Sequence, residues 1–195
     1  PLIKKIKESG IEYLVLETTS HGLDQHRVLG CNFKIGVLTN ITHEHLDYHK
    51  SFDRYKKAKA KLFKGVDFAV LNKDDSSYSF FRKSLKRRAR LLSYSLKKPA
   101  KLRASKININ SKGMKFRVSE NSKRISISTS LIGEYNISNI LAACSVARTL
   151  HIDWGKISVI LKKFRAAGVS KVDIERSNNG ISINVRCAKP GLVIG

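Results

Sequence analysis

The stretches YLVLETTSHGLDQHR (Tyr13–Arg27) and IGVLTNITHEHLDYH (Ile35–His49) decide the fold. Each passes from four largely apolar residues directly into a polar loop. Short apolar runs that stop in this way read as buried strands, and in an open parallel sheet ligands collect beyond the carboxyl ends of the strands. The two loops are therefore expected to meet over one crevice. Between them they carry a carboxylate, hydroxyls, imidazoles and an arginine, a set suited to a metal ion and an anionic ligand.

Outward from these blocks, strand and helix alternate. Ile11–Glu17, Phe33–Asn40, Asp67–Asn72 and Leu91–Ser95 read as strands, and Ser51–Lys64 and Ser76–Arg90 as helices. Ser51 is the expected N-cap of the first helix and Gly65 lies just past its end. From Lys106 the texture changes. KININ, MKFRV and RISISTS alternate apolar and polar residues around a turn at Ser111–Gly113, the pattern of an antiparallel meander. Asn136–Leu150 and Asp153–Arg165 then read as helices, and Ile181–Val185 as a last strand. The expected class is α/β: a mostly parallel Rossmann-like sheet flanked by helices, with a small antiparallel β insertion over about 101–132.

The 195 residues, 42% of them hydrophobic, suffice for one core, and an opening at Pro1 reads as a piece of something longer. No apolar run reaches the roughly 20 residues that span a bilayer, so no membrane partner is expected. Cys31, Cys144 and Cys187 are odd in number and widely spaced, which points to a reducing cytoplasm. The net charge of +23 is densest over Arg82–Arg103. Clustered cations could form a polyanion surface. No RNA-binding signature or aromatic-interleaved basic strand stands out, so a solvated helix face is favoured and no specific nucleic acid is expected.

One lysine is out of place. Phe52, Tyr55, Leu62 and Phe63 fall on one stripe at 100° per residue, and Lys59 lies in its middle; Lys57, Lys61 and Lys64 lie opposite and Lys56 at the border. Burial favours a neutral amine, which can react or take up carbon dioxide as a carbamate. The pattern equally allows Lys59 to snorkel outward from a slightly rotated helix.

The blocks LETTSHGLDQHRV, VLTNITHEHLDYH, YKKAKAKLF, VLNKDD and LIGEYNISNILAA, in this order, resemble the central domain of the Mur ligases, above all the branch that adds a diamino acid. The resemblance covers roughly residues 11–150. It implies an ATP-dependent ligase of peptidoglycan synthesis, a cytoplasmic step of cell-wall biogenesis on which cell shape and division depend. Such an enzyme phosphorylates the free carboxylate of UDP-MurNAc-L-Ala-D-Glu, and the amine of meso-diaminopimelate or L-lysine then attacks the acyl phosphate. Carried over by position, Glu17, His45 and a carbamylated Lys59 would hold Mg2+. Thr19, Gln25 and Arg27 would bind the UDP-muramoyl dipeptide, with Ser20 lining the same crevice. Asn136 and Asn139 would lie near the adenine of ATP; helix capping is their alternative. On this reading residues 1–167 form the central domain and 168–195 the divergent start of a C-terminal ligase domain.

Departures accompany the match. Thr19 stands where the family has serine, and His43 where it commonly has arginine. The expected C-terminal blocks are replaced by GVSKVDIE (Gly168–Glu175) and VRCAKP (Val185–Pro190). No G-x-x-x-x-G-K-[ST] phosphate loop occurs in the 195 residues, so they are expected to bind nucleotide poorly and not turn over alone. Two other readings compete. His43, His45, Asp47 and His49 resemble a metallohydrolase signature, with Tyr48 inserted where the ligand spacing allows no extra residue. A basic nucleic-acid-binding module is the other; it predicts steeply salt-dependent binding.

Overall fold

The computed structural model describes residues 5–6, 8–42, 46–167, 169–177 and 180–187. Its centre is a six-stranded mixed sheet whose spatial order is the chain order. β1 (Ile35–Leu38), β2 (Phe68–Asn72) and β3 (Arg90–Ser95) are parallel. β3 continues in parallel onto β4 (Leu102–Asn110), through Tyr94↔Leu102 and Ser95↔Arg103. β5 (Gly113–Glu120) and β6 (Lys123–Thr129) extend the sheet in antiparallel sense. The expected α/β class holds, and the antiparallel insertion proves to be a continuation of the main sheet rather than an appendage.

The helices explain the two patterns of strand sequence. On one face, α3 (Phe52–Ala60), the 3-10 turn Lys61–Phe63 and α4 (Tyr78–Ser84) close a core of Leu38, Tyr55, Phe63, Ala69, Leu71 and Phe81. On the other, α5 (Glu134–Thr149) and α6 (Trp154–Ala167) pack against Val70, Tyr94, Phe116, Val118 and Ile127. Strand β2 feeds both cores, so it reads as an unbroken apolar run. Strands β5 and β6 are covered on the α5–α6 face alone, and accordingly alternate apolar and polar residues. Gly36 in β1 is dictated by packing: a Cβ there would meet the Phe63 ring at 2.9 Å.

Local signals set the helix ends. Ser51 caps α3, its hydroxyl accepting from the Arg54 amide at 3.3 Å. The helix gives way to the 3-10 turn after Ala60, and this rotates Lys61 from the expected solvent face inward to Asp24. The sole acid between Arg82 and Arg124, Glu120, is buried on the α5–α6 face. There it accepts from Arg148 Nε at 3.0 Å and Trp154 Nε1 at 2.8 Å. Beyond α6, β7 (Val169–Ser177) and β8 (Gly180–Cys187) form a separate two-stranded hairpin. Among the described residues no helix is long and apolar enough to cross a membrane.

The first expected strand, Ile11–Glu17, is not formed. This run is extended and exposed, with Val15 97% accessible, and joins no ladder among the described residues. Apolar content favours burial only when a neighbour covers it. The outer edge of β1, where a further strand would add, is unpaired among the described residues.

Candidate functional site

Beyond the carboxyl ends of β1–β3, four side chains bind the loops into one rim. Asn72, the last residue of β2, donates from Nδ2 to the Thr39 carbonyl at 2.9 Å and to Ser138 Oγ on α5 at 3.4 Å. Its Oδ1 accepts from the Asp74 amide at 2.9 Å. Asp75 accepts from the Ile41 amide at 2.8 Å, and from the amide and hydroxyl of Ser77. Asp74 turns the other way, accepting from Ser95 Oγ at 2.7 Å and the Leu96 amide at 2.6 Å. Burial pushes the Tyr94 phenol up to about 12, so it remains a donor toward the Leu38 and Thr39 carbonyls. Amides and short carboxylates directly after a strand, as in Asn72-Lys73-Asp74-Asp75, are the sequence signal for such clamps.

The first polar loop forms α1 (Ser20–Asp24), which packs against α3 and the 3-10 turn that follows it. Thr19 caps it, Oγ1 accepting from the Gly22 amide at 3.0 Å. His21 stacks 4.1 Å from the Tyr48 ring on α2 (Leu46–His49), and 5.4 Å from His49. Tyr48 donates to Asp24 at 3.3 Å, and Lys61 Nζ lies 2.6 Å from the same carboxylate. The Lys61 ammonium holds the Asp24 carboxyl below its ordinary range, with partial burial opposing. Ser20 is 1% exposed, and its hydroxyl has no hydrogen-bond partner among the described residues. Such a buried hydroxyl is costly unless something meets it.

Lys59 is half-buried on α3, Nζ 5.8 Å from the Tyr55 ring, which itself lies 5.3 Å from His49. His21, Tyr48, His49 and Tyr55 thus form one ring cluster with Lys59 at its border. Glu17 is exposed on the extended run, and Gln25 and Arg27 are exposed just past α1. His45, like His43, lies outside the described residues. The metallohydrolase set is divided in turn: Asp47 is exposed while His49 is buried among rings. Asn136 donates from Nδ2 to the Ile132 carbonyl at 2.9 Å, a loop-closing bond, and Asn139 is exposed. Among the described residues no three His, Cys, Asp or Glu side chains gather as a metal site. A hard divalent ion takes oxygen ligands. Of the expected ligands, the Glu17 carboxylate could supply such oxygens directly, and Lys59 only if it were a carbamate.

A profile of the Mur ligase middle domain matches residues 1–147, and a profile of the KH domain matches residues 157–195. The chain is 36% identical over 160 residues to the UDP-N-acetylmuramoyl-L-alanyl-D-glutamate--2,6-diaminopimelate ligase of Clostridium perfringens, a match covering 80% of this chain and 33% of that protein. It is 39% identical over 152 residues to the ligase of the same name from Caldanaerobacter subterraneus, covering 77% and 31%. A solved structure of such a ligase superimposes with a TM-score of 0.75 at 25% identity, over 96% of this chain and 39% of that one. The chain therefore spans about a third of the length of the curated relatives it matches. Residues 168–195, read from sequence as the start of a ligase C-terminal domain, fall inside the KH match.

Proposed function

Because the chain belongs to the Mur ligase family through its middle domain, we propose that it is the central segment of an ATP-dependent ligase extending UDP-MurNAc-L-Ala-D-Glu in peptidoglycan synthesis, in the cytoplasm. The relatives' names favour diaminopimelate over lysine as the added amino acid. The carrying observation is the docking of α1 against α2 and α3, which brings the residues after Glu17 beside the helix that bears Lys59.

The reaction must activate a carboxylate with a phosphoryl group and keep water from the acyl phosphate. Arg27, exposed at the mouth, presents a fork of donors for a diphosphate or carboxylate. Thr19 fixes the start of α1 and keeps its hydroxyl at the rim. Ser20, whose buried hydroxyl has no partner among the described residues, would line the dipeptide site only if the loop around it opened. Glu17, His45 and carbamylated Lys59 would hold Mg2+, which when bound neutralises charge on the transferring phosphoryl group. Asn72 and Asp75 position the Thr39–Ile41 backbone that leads to His45. Asn136 and Asn139 border the adenine side, with Asn136 already committed to Ile132.

Calorimetric titration with UDP-MurNAc-L-Ala-D-Glu tests the reading. The chain should bind it, and Arg27→Ala should weaken binding by about tenfold, as expected for one lost charge-assisted pair. Equal affinities, or a folded chain that binds nothing, would overturn it.

A further inference from the structure

The ligase reading leaves the open face of β4–β6 unused, and strand register fixes what that face displays. One row across it is Arg103, Ser119 and Arg124; the next is Ser105, Arg117 and Ser126; the third, past the bulge in β4, is Asn108, Lys115 and Ser128. Their neighbours Met114, Phe116, Val118 and Ile127 point the other way, into the core. The rows contain four cations, and every other side chain in them is a serine or asparagine. Acid, aliphatic and aromatic groups are all absent from these nine positions.

This is more than the ordinary polar side of a sheet, which mixes signs. From Arg82 to Arg124 the chain has sixteen Lys and Arg and one acid, Glu120, which is turned inward and paired with Arg148. Among the described residues none of the four cations in the rows takes part in an ion pair. Same-face residues along a strand stand about 7 Å apart and strands about 4.8 Å apart. Four like charges on such a grid repel one another and disfavour the fold. At one end the face opens into a cavity of about 400 Å³ bordered by Pro99, Lys101, Arg103 and Asn121, where Lys101 Nζ donates to Asn121 Oδ1 at 3.0 Å.

We propose that this face binds the phosphate backbone of single-stranded RNA. A line of phosphates supplies the missing counter-charge and releases its own condensed ions. Arginine forks and a lysine point charge suit phosphate oxygens. The serine hydroxyls can pair with 2′-hydroxyls, the groups that distinguish RNA from DNA. A lipid surface fits poorly, because the rows offer nothing apolar to insert. With no ring on which a base could stack, binding is tolerant of sequence. The KH match lies outside these rows, over residues 157–195, but it begins within α6, which packs against β6, and KH domains hold RNA backbones, so a strand bound there would pass near this sheet. The sheet face is a separate surface from that hairpin, and the proposal stands whether or not the ligase reading does.

The test is fluorescence anisotropy of a labelled uridine homopolymer of about 20 nucleotides with the whole 195-residue chain, titrated between about 50 and 200 mM salt. The triple variant Lys115→Gln/Arg117→Gln/Arg124→Gln should lose at least about tenfold in affinity, and its log–log salt slope should fall by about 2, near 0.7 per lost phosphate contact. Lys83→Gln/Lys86→Gln/Arg87→Gln removes equal charge at the end of α4 and should lose less than about threefold. Should the first triple fail to fold by circular dichroism, Arg103→Gln/Arg124→Gln reads the same face. The deoxythymidine homopolymer should bind more weakly than the RNA. Equal losses from both triples, binding that only Lys171→Gln/Arg176→Gln/Arg186→Gln in the hairpin reduces, or DNA bound as tightly as RNA would each overturn the proposal.

Discussion

At Gly113 the backbone takes a φ of +130°, and a Cβ would collide with the Thr129 carbonyl oxygen and Ser130. Gly113→Ala should therefore lower stability by about 2 kcal/mol, read as a reduced midpoint in urea unfolding with an unchanged slope. The Ser-Lys-Gly signal that located this turn in the sequence works through the same sterics. Lys59 was legible differently: helical periodicity set it among apolar side chains, and it is half-buried beside Tyr55. The carbamate itself depends on a neutral amine and carbon dioxide. With 13C-bicarbonate, the protein should show a carbamate carbon resonance that Lys59→Ala lacks; a spectrum unchanged by the substitution would remove Lys59 from the metal set. The polar run Asn72–Asp75 after a strand marks a clamp, but its partners at Thr39, Ile41 and Ser95 lie more than twenty residues away, so the local pattern does not name them.

Among the elements, α1 is only five residues long, too short to stand without docking, and the Asp24–Lys61 pair is part of what holds it. The Asp24 carboxyl lies below its unfolded value, so its contribution is present above the ordinary carboxylate range and vanishes as pH falls through the folded value. Asp24→Asn should flatten that acid limb of the melting-temperature profile and cost at most about 1 kcal/mol at neutral pH, since the carboxylate is over a third exposed. Melting curves from neutral pH down to strong acid would check this. Elements with strong local signals were readable, α3 with its Ser51 cap most clearly. The helix expected over Ser76–Arg90 stops at Ser84 because Lys86, Arg87 and Arg88 offer nothing apolar to pack, and the chain must return to pair Arg90 with Phe68. Strand β7 lies outside the sequence expectation, although Asn178-Asn179-Gly180 between two alternating runs is a hairpin signal.

At the scale of the whole molecule, the sheet divides the labour. Its parallel half, covered on both faces, fixes the loops beyond its strand ends through the Asn72–Asp75 turn, while its antiparallel half leaves a cationic face outside. The α/β class was legible because alternating periods suffice to specify it. The absence of a ladder for Ile11–Leu16 was not, because a strand is a property of its neighbours as much as of itself. That bare run, together with a sheet edge that is unpaired among the described residues, makes the chain adhesive toward its own copies. Mutual repulsion from a charge of +23 is what opposes clumping, and it acts over only about 8 Å at physiological ionic strength. Adding sodium chloride, the usual remedy for a sticky preparation, should here cloud the solution. Light scattering should rise with salt and fall again on dilution into low-salt buffer, and replacing Val15 with lysine should blunt the rise.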